Sequence, residues 1–298
     1  AGWVLQYVMA SSEGELINLG YSQASELFNS MLTDPEAMFG WHTLFVLVVM
    51  SIVAAGVVHG LERAIRILMP VLFALLIVLL GYAATSGHFA QAWTYLFGFS
   101  NPVLTWDGAL AALGHAFFTL SLGMGAIMMY GAYMPRRASI GGAVLTVAAL
   151  DTVVALSASL IIYPIVFAAG VDPAMGPRLM FVTLPVAFDL VPGGQVIAVM
   201  FFSLVALAAV SSAISLVEPA VVWLIEYLAI GRLLACALVG SMGWQAHLLS
   251  VRSLRWLASV SHPDCFTKYI IVVSISCVAH FQGTARVQNA NQQNIITL

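Results

Sequence analysis

The stretch Gly141–Phe167, GGAVLTVAALDTVVALSASLIIYPIVF, decides how this chain is read. It is long enough to cross a bilayer, which takes about 20 apolar residues, and Asp151 is its one charged side chain. An ionised carboxylate at mid-bilayer costs roughly 2.5–3.5 kcal/mol even on the lenient insertion scale, so an acid there is a functional residue by default. Its natural task is to hold a cation or a proton.

The rest of the composition agrees with a membrane setting. The chain has 298 residues, 61% hydrophobic and 8% charged, with a mean hydropathy of +0.99, well outside the range of soluble domains. Five stretches read as spanning helices: Trp41–Val58, Ile65–Ala84, Asp107–Met134, Ile140–Phe167 and Gln195–Leu228. Gly2–Ala10 is half a span. The fold class is therefore all-α and polytopic. The first residues lack a basic n-region and a cleavage motif, so no signal peptide is expected. Cys236, Cys265 and Cys277 have no metal-ligand spacing. A net charge of −3 gives no basic patch for nucleic acid.

Arginine placement orients the spans. Arg63 and Arg66 occupy the join His59–Arg66, and Arg136 and Arg137 the join Pro135–Ser139. The positive-inside rule puts both joins in the cytoplasm. The other connections then face outward: acidic Ser11–Gly40, uncharged Ser86–Trp106 (His88 aside) and mixed Val171–Gly194. Within them Tyr21–Leu32 has the pattern of a short amphipathic helix, and Met180–Leu190 is apolar but cut by Pro185. Each is either a lid over the outer face or a solvated loop.

The span Asp107–Met134 predicts a broken helix. Helical pattern runs over Ala109–Thr119, then meets Leu120-Ser121-Leu122-Gly123-Met124-Gly125, then resumes to Tyr133. Each glycine costs about 1 kcal/mol relative to alanine in a helix interior. Irregular backbone at membrane depth survives only where protein or a water-filled cavity covers it, and there its freed groups can bind ions or substrate. The bland reading is close helix packing on small residues. In the last clear span, Ala208, Ser211, Ser212 and Ser215 share one helix face at i, i+3, i+4, i+7. Such a stripe is interhelical glue or a set of neutral oxygens for a hard cation. At 1.5 Å rise per residue, Ser121 lies roughly 20 Å from an outer helix start, Asp151 roughly 17 Å from an inner one and Ser211 roughly 24 Å from an outer one. All three fall within a core about 30 Å thick.

At these residues the chain resembles the neurotransmitter:sodium symporters, in their bacterial sodium-dependent amino-acid transporter branch. Gly114-His115-Ala116-Phe117-Phe118-Thr119-Leu120-Ser121-Leu122-Gly123-Met124-Gly125 looks like that family's unwound sixth helix. Gly60-Leu61-Glu62-Arg63 leading to Ile67-Leu68-Met69-Pro70, and Ser211-Ser212-Ala213-Ile214-Ser215-Leu216-Val217-Glu218-Pro219, agree with it. The resemblance implies a partial leucine-transporter-type bundle over residues 1–228, from half of helix three to helix eight. It implies substrate contacts at Phe118, Thr119, Ser121, Met124, Ser212 and Leu216. It implies sodium ligands at Thr119 and Asp151 for one ion, and at Ala208, Ser211 and Ser212 for a second. The implied partners are a neutral amino acid and the lipid of a bacterial inner (plasma) membrane, with alternating access and no catalytic residue. No oligomeric state is implied.

Some positions depart from the family pattern. Asp151 replaces an asparagine of chloride-dependent relatives, so its fixed charge is expected to take the place of chloride. His115 stands where glutamine is usual, and Ser211 where threonine is common. Glu218 reads as helix-packing support or a further ion ligand. After Leu228 the resemblance fades: Ile230–Trp244 and Tyr269–Phe281 are apolar but short, and residues 229–298 read as an atypical tail, frame-shifted or poorly ordered. The family's first two helices would precede Ala1, so a truncated chain unable to transport alone is expected. The alternatives are a non-functional membrane fragment, proton coupling at Asp151, and an intramembrane enzyme. The last lacks a partner carboxylate or a serine–histidine pair at equal depth.

Overall fold

The computed structural model describes residues 2–85, 87–98, 105–123, 125–135, 138–170 and 179–258. Helices account for its regular structure, and no strand occurs among the described residues. They run α1 (Gly2–Glu13), α2 (Tyr21–Thr33), α3 (Pro35–Ala54), α4 (Arg63–Thr85), α5 (Phe89–Phe97), α6 (Trp106–Thr119), α7 (Ala126–Tyr133), α8 (Ile140–Ala168), α9 (Leu184–Asp189), α10 (Gly194–Leu228) and α11 (Arg232–Ala258). Single π-helical turns, Val57–Glu62 and Leu179–Thr183, lead into α4 and α9. Pro35–Ala54, His59–Thr85, Ile140–Ala168 and Gly194–Leu228 are long and apolar enough to cross a membrane.

Local chemistry sets the ends of these helices. α3 begins earlier than the apolar run at Trp41 suggests, because Asp34 Oδ1 accepts the N–H groups of Glu36 and Ala37 at 3.0 and 3.1 Å and Pro35 follows it. This is the favoured arrangement of an N-cap followed by proline. α8 begins after Ser139, whose Oγ accepts from Gly142 N. The short join between α3 and α4 is possible because a Cβ at Gly60 would run into the Ile52 carbonyl oxygen.

α10 is the axis of the packing, touching α1, α3, α4, α7, α9 and α11. Two cores form along it. One is aromatic: Phe181 lies against Trp3, Tyr7, Phe28 and Phe202 at centroid distances of 5.9, 5.0, 5.7 and 6.5 Å. The Tyr7 hydroxyl donates to the Phe181 carbonyl at 2.7 Å. The other gathers Phe45, Val49, Val53, Val210, Ile214, Ala235 and Cys236.

Two sequence expectations change here. Of the two readings of Met180–Leu190, the solvated loop is excluded: Val182, Thr183, Leu184 and Phe188 are buried, because the aromatic core gives its apolar residues a surface to pack on. The apolar segment Ile230–Trp244 belongs to a longer helix, α11, which packs on α3 and α10. Trp244 Nε1 donates to Thr43 Oγ1 at 2.9 Å, anchoring it. Residues 259–298 lie outside the described residues.

Phe181→Ala is expected to lower unfolding stability by about 3–5 kcal/mol, whereas Phe118→Ala, at a side chain 67% exposed, should leave stability nearly unchanged. Thermal unfolding of the purified variants in detergent checks both.

Candidate functional site

The break predicted in Asp107–Met134 is present. α6 ends at Thr119, and the backbone is non-helical over Leu120–Gly123 and at Gly125. Ser121 has φ 53°, Gly123 φ 82° and Gly125 φ 84°. Ser121 is the residue for which this is costly, because its Cβ crowds the following carbonyl in the left-handed region. Gly125 also sits beside Pro219 of α10, where an added Cβ would stand 3.5 Å from the proline Cβ. That is ordinary van der Waals contact, so it is the positive φ of the turn that calls for glycine here.

The two halves of the broken helix are held differently. Tyr130 and Ser215 join α7 to α10 by a hydroxyl–hydroxyl hydrogen bond. The Tyr133 hydroxyl donates to Glu218 Oε1 at 3.3 Å. None of the described side chains on α6 is buried, and α6 has no extensive packing partner.

The residues expected to bind ions and substrate divide accordingly. Phe118 and Thr119 are exposed on α6, with Thr119 Oγ1 donating to its own helix at Ala116 O, 3.2 Å. Ser121 is half-buried in the break. Met124 lies outside the described residues. Asp151 is half-buried on α8, and no hydrogen bond or ion pair joins its carboxylate to another described residue. On α10, Ser211 Oγ donates to Ala208 O at 2.9 Å and Ser215 Oγ to Ser211 O at 3.0 Å. Ser212 and Leu216 are exposed and Ala208 is half-buried.

The structure thus joins the inner half of the broken helix to the hydroxyl stripe. No hydrogen bond among the described residues joins Thr119 or Asp151 to that stripe. α8 packs mainly on α4, and α4 packs on α10.

Sequence reasoning did not find the ion pair made by the buried Glu218. Glu218 is 2% exposed and is met by Arg232 NH2 at 2.8 and 2.6 Å. Arg232 Nε donates to Val53 O at 2.8 Å. Of the two roles open to Glu218, the geometry favours packing support. The available signal was a lone arginine shortly after a span carrying a lone glutamate, with a reversal between them. Ala229, with φ 50°, makes that reversal. Of the arginines used for orientation, Arg66 pairs with Glu62 at 2.5 Å on the exposed start of α4; Arg136 and Arg137 lie outside the described residues.

An all-helical bundle with a broken helix joined to a hydroxyl-bearing helix, and an acid on a further long apolar helix, is consistent with the leucine-transporter type of architecture. Comparisons agree. Residues 25–292 match the sodium:neurotransmitter symporter family, and the chain belongs to that family. The uncharacterized sodium-dependent transporter YhdH of Bacillus subtilis is 34% identical over 217 residues, covering 73% of this chain and 48% of that protein. An uncharacterized sodium-dependent transporter of Haemophilus influenzae is 29% identical over 235 residues, covering 78% and 51%. The crystal structure of MhsT in complex with L-phenylalanine superposes with a TM-score of 0.73 at 37% identity, covering 85% of this chain and 57% of that one. The chain spans about half the length of these relatives. It is a multi-pass protein of the plasma membrane, from a family of sodium-dependent transporters.

Arg232→Ala is expected to cost about 3–5 kcal/mol of stability, because it strands a buried carboxylate. The double variant Glu218→Gln/Arg232→Met should lose much less. Unfolding midpoints of both in the same detergent make the comparison.

Proposed function

We propose that this chain is part of a sodium-coupled symporter for neutral, hydrophobic amino acids and carries some of its ion and substrate ligands. The observation that carries the reading is Asp151, a carboxylate on a helix long and apolar enough to span a membrane, with no partner among the described residues. Such a charge is expensive in lipid and is retained where an ion meets it. Thr119 and Asp151 would hold one sodium ion. The Ala208 carbonyl with the Ser211 and Ser212 hydroxyls would hold a second, since hard cations prefer oxygen ligands.

Ser121 and the rest of the break would offer backbone groups to the polar end of the substrate. Phe118, Met124, Ser212 and Leu216 would line the side-chain pocket, and the apolar members favour an apolar amino acid. Support for that class comes from MhsT, the structural neighbour solved with L-phenylalanine. Movement would be alternating access with no covalent step, driven by sodium entering down its gradient. The carboxylate of Asp151 would supply the negative charge for which chloride serves elsewhere, so chloride would not be required. The competing coupling ion is a proton at Asp151.

A chimaera placing residues 2–228 into the corresponding part of a family-length relative tests the reading. Uptake of labelled phenylalanine into proteoliposomes should need sodium, stop when choline replaces it, and proceed without chloride. Asp151→Ala should weaken apparent sodium affinity by roughly tenfold or more, equivalent to about 1.4 kcal/mol. Uptake that follows a proton gradient in choline would transfer the role of Asp151 to proton coupling.

A further inference from the structure

α7 is eight residues long, begins at the break and has α10 as its one extensive packing partner among the described residues. Its position therefore depends on the side chains that reach α10. Tyr130 and Tyr133 stand three residues apart, on one helix face, and end in different places. Tyr133 meets Glu218, which Arg232 fastens to the end of α3. Tyr130 meets Ser215, a member of the hydroxyl stripe. Packing alone does not call for a hydroxyl on that ring, because Tyr130 is 44% exposed.

The direction of the Tyr130 contact follows from the hydrogens at hand. A serine hydroxyl has one to give, and Ser215 Oγ gives it to Ser211 O at 3.0 Å. Ser215 Oγ therefore accepts, and the Tyr130 hydroxyl donates. A hydroxyl that accepts a bond donates its own more strongly, so Tyr130 reinforces the hold of Ser215 on Ser211. The Ser211 hydroxyl in turn donates to Ala208 O at 2.9 Å. A line of hydrogen bonds thus runs from α7 through Ser215 to Ser211 and Ala208.

We infer that Tyr130, acting through Ser215, is a positioning residue that couples the inner half of the broken helix to the proposed sodium ligands Ala208, Ser211 and Ser212. The inference rests on the proposal that this stripe holds sodium. A cation taking the Ala208 carbonyl and the Ser211 hydroxyl oxygen must turn the Ser211 hydrogen away, because it binds lone pairs and repels that hydrogen. The bond inside the stripe then opens and its backbone settles around the ion. The link from Ser215 to Ser211 O carries that change to Tyr130 and so to α7. Without the tyrosine hydroxyl the ion keeps its ligands, but α7 no longer registers it.

The test is hydrogen–deuterium exchange of the full chain in phosphatidylcholine nanodiscs, read by mass spectrometry in sodium chloride and in choline chloride. Sodium should slow exchange both across residues 208–215 and across α7. Tyr130→Phe should keep the first effect, lose the second, and speed α7 exchange in sodium roughly fivefold, the scale of one neutral hydrogen bond. Ser215→Ala should do the same, and the double variant no more than either alone, because both remove one bond. Ser215→Thr keeps the hydroxyl and should restore the sodium effect on α7. The inference is overturned if sodium slows α7 in Tyr130→Phe as it does in the parent chain. It is also overturned if Tyr130→Phe speeds α7 by the same factor in choline, the mark of a merely structural contact, or if Ser215→Thr behaves as Ser215→Ala does. Sodium that leaves residues 208–215 of the parent chain unchanged instead removes the sodium reading of the stripe, and the inference with it.

Discussion

A carboxylate taken out of water must be met by a cation, and at Glu218 that requirement fixes how the inner ends of the helices meet. Arg232 reaches Glu218 only because the chain reverses at Ala229 and returns as α11. The same guanidinium holds a carbonyl at the end of α3. Removing water strengthens such a contact and raises the cost of losing one partner. α3, α10 and α11 are therefore bound into one unit. Tyr133, donating to the same carboxylate, adds α7 to it.

That fastening explains the asymmetry of the broken helix. α7 is tied by Tyr130, Tyr133 and the contact of Gly125 with Pro219. α6 has only its own helical bonds and lies exposed. Between them the backbone closes on itself where it can: Ser121 N–H donates to Phe118 O at 3.0 Å and Leu122 N–H to Phe117 O at 2.9 Å. Lipid would satisfy none of the groups left over, so a break at this depth demands cover by protein or by a polar cavity. A half-helix that is tied at one end and broken at the other is suited to expose or shield such a cavity.

The sequence showed the fold wherever one helix carried the signal. Uninterrupted apolar runs placed α4, α8 and α10, and paired glycines placed the break. The amphipathic pattern of Tyr21–Leu32 placed α2. Starts and ends were legible only through caps: Asp34-Pro35 marks the start of α3, which hydropathy alone misplaced at Trp41. What could not be read was anything that needs two distant segments. Thr183 and Phe181 are polar and aromatic residues in an outer loop until α1 and α2 supply the ring stack that buries them. Arg232 reads as a stray charge until the turn at Ala229 brings it to Glu218. The hydroxyl stripe was legible as a stripe. Its first occupants are carbonyls of its own helix, at Ala208 and Ser211, as is common for serine in helices.

Two acids inside apolar helices therefore meet opposite fates in one chain. Glu218 has a fixed counter-charge, so its ionisation is part of the packing and has no free capacity to answer to a changing ion. Asp151 has no such cation among the described residues, and its helix packs on α4 without closing a polar contact over it. A permanent partner at Asp151 would compete with any mobile cation for the same oxygens. On the proposed reading, fixed pairing at one acid and open oxygens at the other separate the group that holds the frame together from the group that would bind and release an ion. Coupling to an ion gradient requires that separation, because a site must empty as readily as it fills.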